Sequence, residues 1–212
     1  LSSTQFSATS IIVKDEKTGA VLFSKNPFEV RPIASITKLI SALVLLDEKP
    51  DWNATTTVVG RDLYGVHIYP GQVYTNKQLW QAMLVASSNR AIFSLAKHAT
   101  TSTSNFVTHM NEKAHELGMN HSSFTDSTGL VDGDVSTASD VAILLKNALQ
   151  HPEIQKELET RDATIIPEGK TVKVHMWNTD WLLLGWIPSD FAYFYGGKTG
   201  FIDDSLYNFA VQ

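Results

Sequence analysis

"RPIASITKLISALVLLDE" (residues 31–48) places two hydroxyls and an ammonium, at Ser35, Thr37 and Lys38, at the mouth of a run that is otherwise almost wholly apolar. A helix that begins near Ser35 stacks residues three apart on one face, so the Ser35 hydroxyl and the Lys38 amine can meet. Pro32 ahead of the run and "KPDWN" (49–53) behind it bound that helix, which ends at about Glu48. A serine hydroxyl is a poor nucleophile until something takes its proton, and a lysine can take it only when desolvation or a nearby cation depresses its pKa. Lys38 opens an apolar helix, which is such a place.

Outward from this stretch, "SATSIIVKD" and "AVLFSKN" are β-branched and aromatic runs separated by "EKTG", and they predict a hairpin with Gly19 in its turn. Residues 51–74 hold Gly60, Gly65, Pro70 and Gly71 without a sustained period, the pattern of extended loops with short strands. Helices follow: one from Thr75, one over "RAIFSLAKHA" after the "SSN" interruption, one over "SNFVTHMNEKAHELGM" closed by Gly118, and one capped by Ser136 or Thr137 with Asp140 behind it. Beyond these, "DATIIP", "KTVKVHMW", "FAYFYGGKTG" and "SLYNFAVQ" are strand-like. The layout predicts an α+β protein, a sheet with a mostly helical lobe inserted in it.

The 212 residues are 43% hydrophobic and 18% charged, enough for one large domain or two lobes sharing a core. A net charge of -5 and the absence of any run of Lys or Arg exclude a nucleic-acid surface, which needs clustered cations to displace counterions. No cysteine is present, so disulfides and thiolate metal sites are ruled out. The histidines His109, His115 and His121 recur at intervals of six, a poor helical spacing, and no H-E-x-x-H occurs, so no metal site is expected. "LISALVLL" and "WLLLGWIP" fall well short of the roughly 18 apolar residues of a spanning helix. The start at Leu1 suggests a chain from which a signal peptide has been removed.

Taken singly, the motifs are weak. A second Ser-x-x-Lys stands at Ser94 and Lys97, read as an ordinary exposed helix face; Lys-Thr-Gly occurs at 17–19 as well as 198–200; Ser-x-Asn occurs at 24–26 as well as 87–89. Alone, Ser35 is a cap, Ser87 and Asn89 are loop residues and Lys198-Thr199-Gly200 is a turn. Order along the chain separates them: Ser35-x-x-Lys38, Ser87-Ser88-Asn89 between two helices, then Lys198-Thr199-Gly200 on a late strand form one ordered set, and the duplicates fall outside it.

On these motifs, and on "MNEKAHELGMNHSSFTDSTGL", "STASDVAILL", "WNTDWLL" and "GGKTGF" in the same order, the chain resembles the low-molecular-mass penicillin-binding proteins, the D-alanyl-D-alanine carboxypeptidase and endopeptidase family, through most of its length. "SSNRA" and "KTGF" look more like the endopeptidase branch, since an Asp usually stands in the carboxypeptidases where this chain has Arg90.

The resemblance implies a transpeptidase-like fold in a single domain over 1–212, with a sheet lobe of about 1–50 and 160–212 and a helical lobe of about 51–159. It also implies a serine D,D-peptidase without cofactor or metal. Ser35 would attack a D-alanyl carbonyl, Lys38 would accept its proton, and Ser87, beside Lys38 and Lys198, would pass a proton to the leaving amine. Asn89, Lys198, Thr199 and Gly200 would bind substrate, and the backbone N–H groups of Ser35 and Phe201 would form the oxyanion hole. Peptidoglycan stem peptides are the implied substrate, β-lactams the implied covalent inhibitors and the periplasm or cell exterior the implied location. In the family one more strand follows "SLYNFAVQ" and lies beside the first, so "SATSIIVKD" and "SLYNFAVQ" are each expected to lack a neighbour, with the missing strand supplied from elsewhere or the sheet reorganised.

Two alternatives stand beside this reading. "ELGMN" (116–120) superficially matches the Glu-x-x-Leu-Asn of class A β-lactamases, although a helix end explains it. A penicillin sensor or cell-wall binding module that does not turn over would carry the same motifs. Trp80, Trp177, Trp181 and Trp186 are read as core and lobe-packing residues rather than as a glycan platform.

Overall fold

Nine consecutive residues of α1 (Thr37–Asp47), from Thr37 to Leu45, are buried. A helix without a solvent face has to lie inside the molecule, and the remaining elements of the computed structural model, which describes residues 5–60, 63, 67–99 and 103–212, are arranged around it. Packed on α1 are α3 (Asn89–Ala99), α4 (Thr103–Glu116) and α5 (Ala138–Ala148). Packed on α3 is α2 (Asn76–Leu84), which begins in a reciprocal capping box: Thr75 accepts from the Gln78 N–H while the Gln78 side chain accepts from the Thr75 N–H. Thr137 caps α5 by accepting from the Asp140 N–H.

Two short helices were not legible in the sequence. α6 (Pro152–Leu158) starts with its proline in the first turn, and α7 (Trp181–Leu184) is a single turn capped by Asp180 and closed by Gly185. Because one turn can bury only one side, α7 turns Leu184 inward. Trp177, Trp181 and Trp186 are more than half exposed and only Trp80 of the four is buried. This overturns the reading of those three tryptophans as core.

The strands are antiparallel throughout. β1 (Ile11–Lys14) pairs with β2 (Val21–Lys25) across the predicted Gly19 turn. β4 (Thr55–Thr57) pairs with β5 (Val73–Thr75), the strand content expected inside residues 51–74, where Gly65 and its neighbours lie outside the described residues. β7 (Asp162–Ile165) pairs with β8 (Val174–Trp177), and β9 (Gly197–Ile202) with β10 (Leu206–Val211). The two-residue β3 (Arg31–Pro32) and β6 (Val135–Ser136), too short to carry a period, also pair.

Among the described residues these ladders remain two-stranded rather than merging into one sheet. Among the described residues β1 and β10 each have a single strand partner, and both pack on α5 without pairing with each other. The aromatic run at 191–195, predicted as the start of the β9 strand, is irregular and exposed, and β9 begins only after Gly196, whose φ is +114°.

A loop at 125–133 closes over the start of α1, and the seam is tight. At Gly129 φ is +77° and a Cβ would lie 2.0 Å from the Ala34 carbonyl oxygen, whereas at Gly118, with φ +79°, nothing lies within 4 Å. Gly118→Ala should therefore cost only the left-handed backbone, about 1–2 kcal/mol. Gly129→Ala must in addition displace the start of α1, and its urea midpoint should fall much further. Equal midpoints for the two variants would show that the seam is loose.

Candidate functional site

Ser35 lies not in the α-helix but in a 3₁₀ turn, Ala34–Ile36, that leads into α1. Three residues per turn eclipse positions i and i+3 better than the α-helix does, and the Lys38 Nζ lies 2.7 Å from the Ser35 Oγ. The same amine donates to the Asn89 Oδ1 at 2.7 Å and to the Thr128 carbonyl at 2.6 Å. Lys38 is fully buried. Burial holds its pKa well below the usual lysine value, the Lys198 ammonium pushes it further down, and Asp126 and Asp134 oppose both.

Asn89 reaches this point because the chain breaks between α2 and α3. Ser88 caps α3 by accepting from the Ala91 N–H at 3.3 Å, and Ser87 before it is held at φ +56°. Ala34 on the facing turn has φ +49°. Left-handed backbone at a non-glycine residue is strained and collects at functional sites. Ser87 is bonded to the second lysine: the Lys198 Nζ donates to the Ser87 Oγ at 2.8 Å and to the Thr199 carbonyl at 2.9 Å. Burial lowers the Lys198 pKa to about 7, with Asp180 acting against it. The Thr199 hydroxyl donates to the Thr179 hydroxyl at 2.6 Å.

β9 carries Lys198, Thr199 and Gly200 against the 3₁₀ turn. A Cβ at Gly200 would stand 2.8 Å from the Ile33 carbonyl oxygen and 3.0 Å from the Ser35 nitrogen. The sequence reading attached this glycine to substrate; in the fold its first duty is to let the strand reach the serine backbone. Phe201, the next residue, is half exposed with its ring against Tyr207.

The three segments of the ordered set thus converge, while their duplicates stay apart. Lys17-Thr18-Gly19 is the β1–β2 turn, and Asn26 donates to the Thr9 carbonyl beyond β2. At the second Ser-x-x-Lys, Lys97 is exposed, but Ser94 is buried, donating to the Arg90 carbonyl and accepting from the Val59 N–H, so the expected exposed face is half wrong. Arg90 itself donates to the Gly60 and Ile68 carbonyls and tethers the loop before β5. Glu116 sits in an exposed ion pair with Lys113 at the end of α4.

Sequence reasoning missed the groups behind Lys38. Asp126 Oδ1 accepts from the N–H of Thr128 and of Gly129, and Asp134 Oδ1 accepts from the Thr125 N–H, the Thr125 hydroxyl and the Asp126 N–H. Thr128 contributes through its carbonyl, which no side-chain pattern announces; the one signal was the "FTDSTGL" landmark itself. Asp134 is fully buried with Oδ2 unpartnered, and burial raises its pKa to about 6.

Along residues 1–212 the chain matches the peptidase S11 family, described as D-alanyl-D-alanine carboxypeptidase. It is 35% identical over 206 residues to a D-alanyl-D-alanine endopeptidase of Haemophilus influenzae, covering 95% of this chain and 68% of that one. It is 34% identical over 184 residues to a D-alanyl-D-alanine endopeptidase of Pseudomonas aeruginosa, covering 84% and 59%. The chain therefore spans about three fifths to two thirds of the length of these curated relatives. Penicillin-binding protein D2 of Listeria monocytogenes, in its cefotaxime-bound form, superposes with a TM-score of 0.79 at 27% identity, over 94% of this chain and 81% of that one.

The raised Asp134 pKa fixes a sign. Its folded value, about 6, exceeds the ordinary 3.8, so the folded state binds the extra proton between these values and loses stability as pH rises through them. Asp134→Asn removes that loss. The stability of the variant relative to wild type should rise by about 3 kcal/mol between about pH 4 and pH 7, read from urea unfolding, and a difference independent of pH would contradict the assignment.

Proposed function

Because the chain belongs to the D-alanyl-D-alanine carboxypeptidase family, peptidase S11, we propose that it is a serine D,D-peptidase acting on peptidoglycan stem peptides through an acyl-enzyme on Ser35. The observation that carries this reading is the wholly buried Lys38, its pKa depressed, 2.7 Å from the Ser35 hydroxyl. A neutral amine at that distance can take the hydroxyl proton as Oγ attacks the carbonyl carbon of a D-alanyl peptide bond.

The oxyanion that forms is held by the backbone N–H groups of Ser35 and Phe201, each such donor worth about 3 kcal/mol in comparable hydrolases. Collapse breaks the C–N bond, and the departing amine takes a proton from the Ser87 hydroxyl, which recovers one from the Lys198 ammonium bonded to it. Water then adds to the acyl carbon, its proton passing through Ser87 back to Lys198, and Ser35 leaves with the proton that Lys38 had taken. Lys198 and Thr199 face the polar end of the substrate, and Asn89, whose Oδ1 is engaged by Lys38, orients the lysine while its amide binds a substrate carbonyl.

β-Lactams, with a strained amide in the same place, would acylate Ser35 as covalent inhibitors. Both curated relatives named above are endopeptidases, which favours cleavage of crosslinks over trimming of terminal D-alanine. The substrate lies outside the cytoplasm, so the protein is proposed to work in the periplasm or at the cell exterior. No helix among the described residues is long and apolar enough to cross a membrane.

Ser35→Ala should abolish covalent labelling by a fluorescent penicillin, whereas Ser94→Ala, away from the lysine pair, should label at the wild-type rate. Labelling of the Ser35 variant would refute the nucleophile. Lys38→Arg should acylate more slowly by about 10²- to 10⁴-fold, since a guanidinium stays protonated.

Digestion of purified muropeptides separates the activities by product mass. Crosslinked dimers should fall to monomers; loss of a single D-alanine instead would assign carboxypeptidase activity, and a stable penicillin adduct with no muropeptide turnover would assign a binding module.

A further inference from the structure

Lys38 has a stereochemical problem that Ser35 does not solve. A neutral amine carries two N–H bonds and one lone pair, and only the lone pair can receive the serine proton. Of the three oxygens around Nζ, the Thr128 carbonyl and the Asn89 Oδ1 accept but cannot donate, whereas the Ser35 hydroxyl can do both. When the two pure acceptors take the two N–H bonds, the lone pair is left pointing at Ser35. If the Thr128 carbonyl turned away, an N–H could swing to the Ser35 oxygen and the proton would have nowhere to go.

The Thr128 carbonyl is therefore held from several sides. Asp126 Oδ1 gathers the N–H groups of Thr128 and Gly129, fixing the peptide planes on either side of the Thr128 α-carbon. Asp134 Oδ1 in turn holds Thr125 and the Asp126 N–H. One turn further along α1, the Ser41 hydroxyl donates to the Ser127 carbonyl at 2.8 Å, a second staple between loop and helix. Gly129 seats the loop against the Ala34 carbonyl. The charged groups that act on Lys38 are Lys198 on β9 and Asp126 and Asp134 on the connection between α4 and β6.

We propose that Asp126 is a positioning residue that acts through the Thr128 backbone, holding its carbonyl so that the lone pair of neutral Lys38 faces Ser35. This rests on the reading of Lys38 as the base for Ser35. It extends the site to a loop that reaches the lysine through a backbone carbonyl.

Charge and position can be separated with two variants. Asp126→Asn and Asp126→Ala both remove the charge, and so should shift the pH midpoint of acylation by a fluorescent penicillin to lower values alike. Only alanine removes the acceptor for the Thr128 and Gly129 N–H groups. The pH-independent plateau of the acylation rate should thus be at least about fivefold higher in the asparagine variant than in the alanine variant.

A smaller ratio, with both variants folded, overturns the proposal. Should the alanine variant not fold, Asp126→Glu carries the test: it keeps the charge but moves the acceptor by one methylene, and its plateau must fall by at least about fivefold relative to wild type with an unmoved midpoint. An unchanged plateau there also overturns the proposal. Labelling of Ser35→Ala run alongside would signal failure of the underlying functional reading instead, so the two failures are told apart.

Discussion

A buried lysine is the constraint from which the rest of this structure follows. An ammonium deep in a protein costs several kcal/mol unless it is paired or loses its proton, and Lys38 is buried, with a second buried lysine acting on it and the carboxylates of Asp126 and Asp134 acting the other way. The fold responds by giving the amine three oxygens at hydrogen-bond distance from three separate segments. Each of those segments has to be pinned: the 3₁₀ turn by the seam with Gly129 and Gly200, the α2–α3 break by the Ser88 cap, and the 125–133 loop by two aspartates.

The cost of these arrangements is visible around the site. Ala34 and Ser87 carry left-handed backbone, Asp134 is buried with one bare oxygen, and the hydroxyl of Thr37 has no partner. None of these would be chosen for stability alone, and they lie on the segments that meet at Ser35 and Lys38, the pattern expected where strain and unmet polarity are retained for function. The broad apolar core around α1, with Leu39, Ile40, Leu79, Met83, Phe106 and Leu144 almost wholly buried, supplies the rigidity that keeps them in place.

The two lysines divide the electrostatic labour. Each is buried and burial lowers the pKa of each; Lys198 pushes Lys38 further down against Asp126 and Asp134, whereas Asp180 acts to raise Lys198. The result is an asymmetric pair, with Lys198 titrating near neutrality and Lys38 below its ordinary range.

Much of this was legible in the chain. The helix opening near Ser35, the helix start at Thr75, the cap at Ser136 or Thr137, the Gly118 stop and the β1–β2 hairpin all rest on local rules, in which a side chain acts on backbone within a few residues. Ser35, Lys38, Ser87, Asn89 and Lys198 were selected by their order, because chemistry leaves a pattern of residue types. What only the tertiary structure decided depends on contacts between distant segments. The Thr128 carbonyl belongs to every residue alike and gains its part from where the loop puts it. Gly200 is required by a strand meeting a turn some 165 positions earlier in the chain, the exposure of Trp181 follows from a one-turn helix with a single inner side, and Trp177 stands on the outward face of β8. Side-chain identity determined which groups could react; burial and the convergence of remote backbone determined which of them are held in a state to do so.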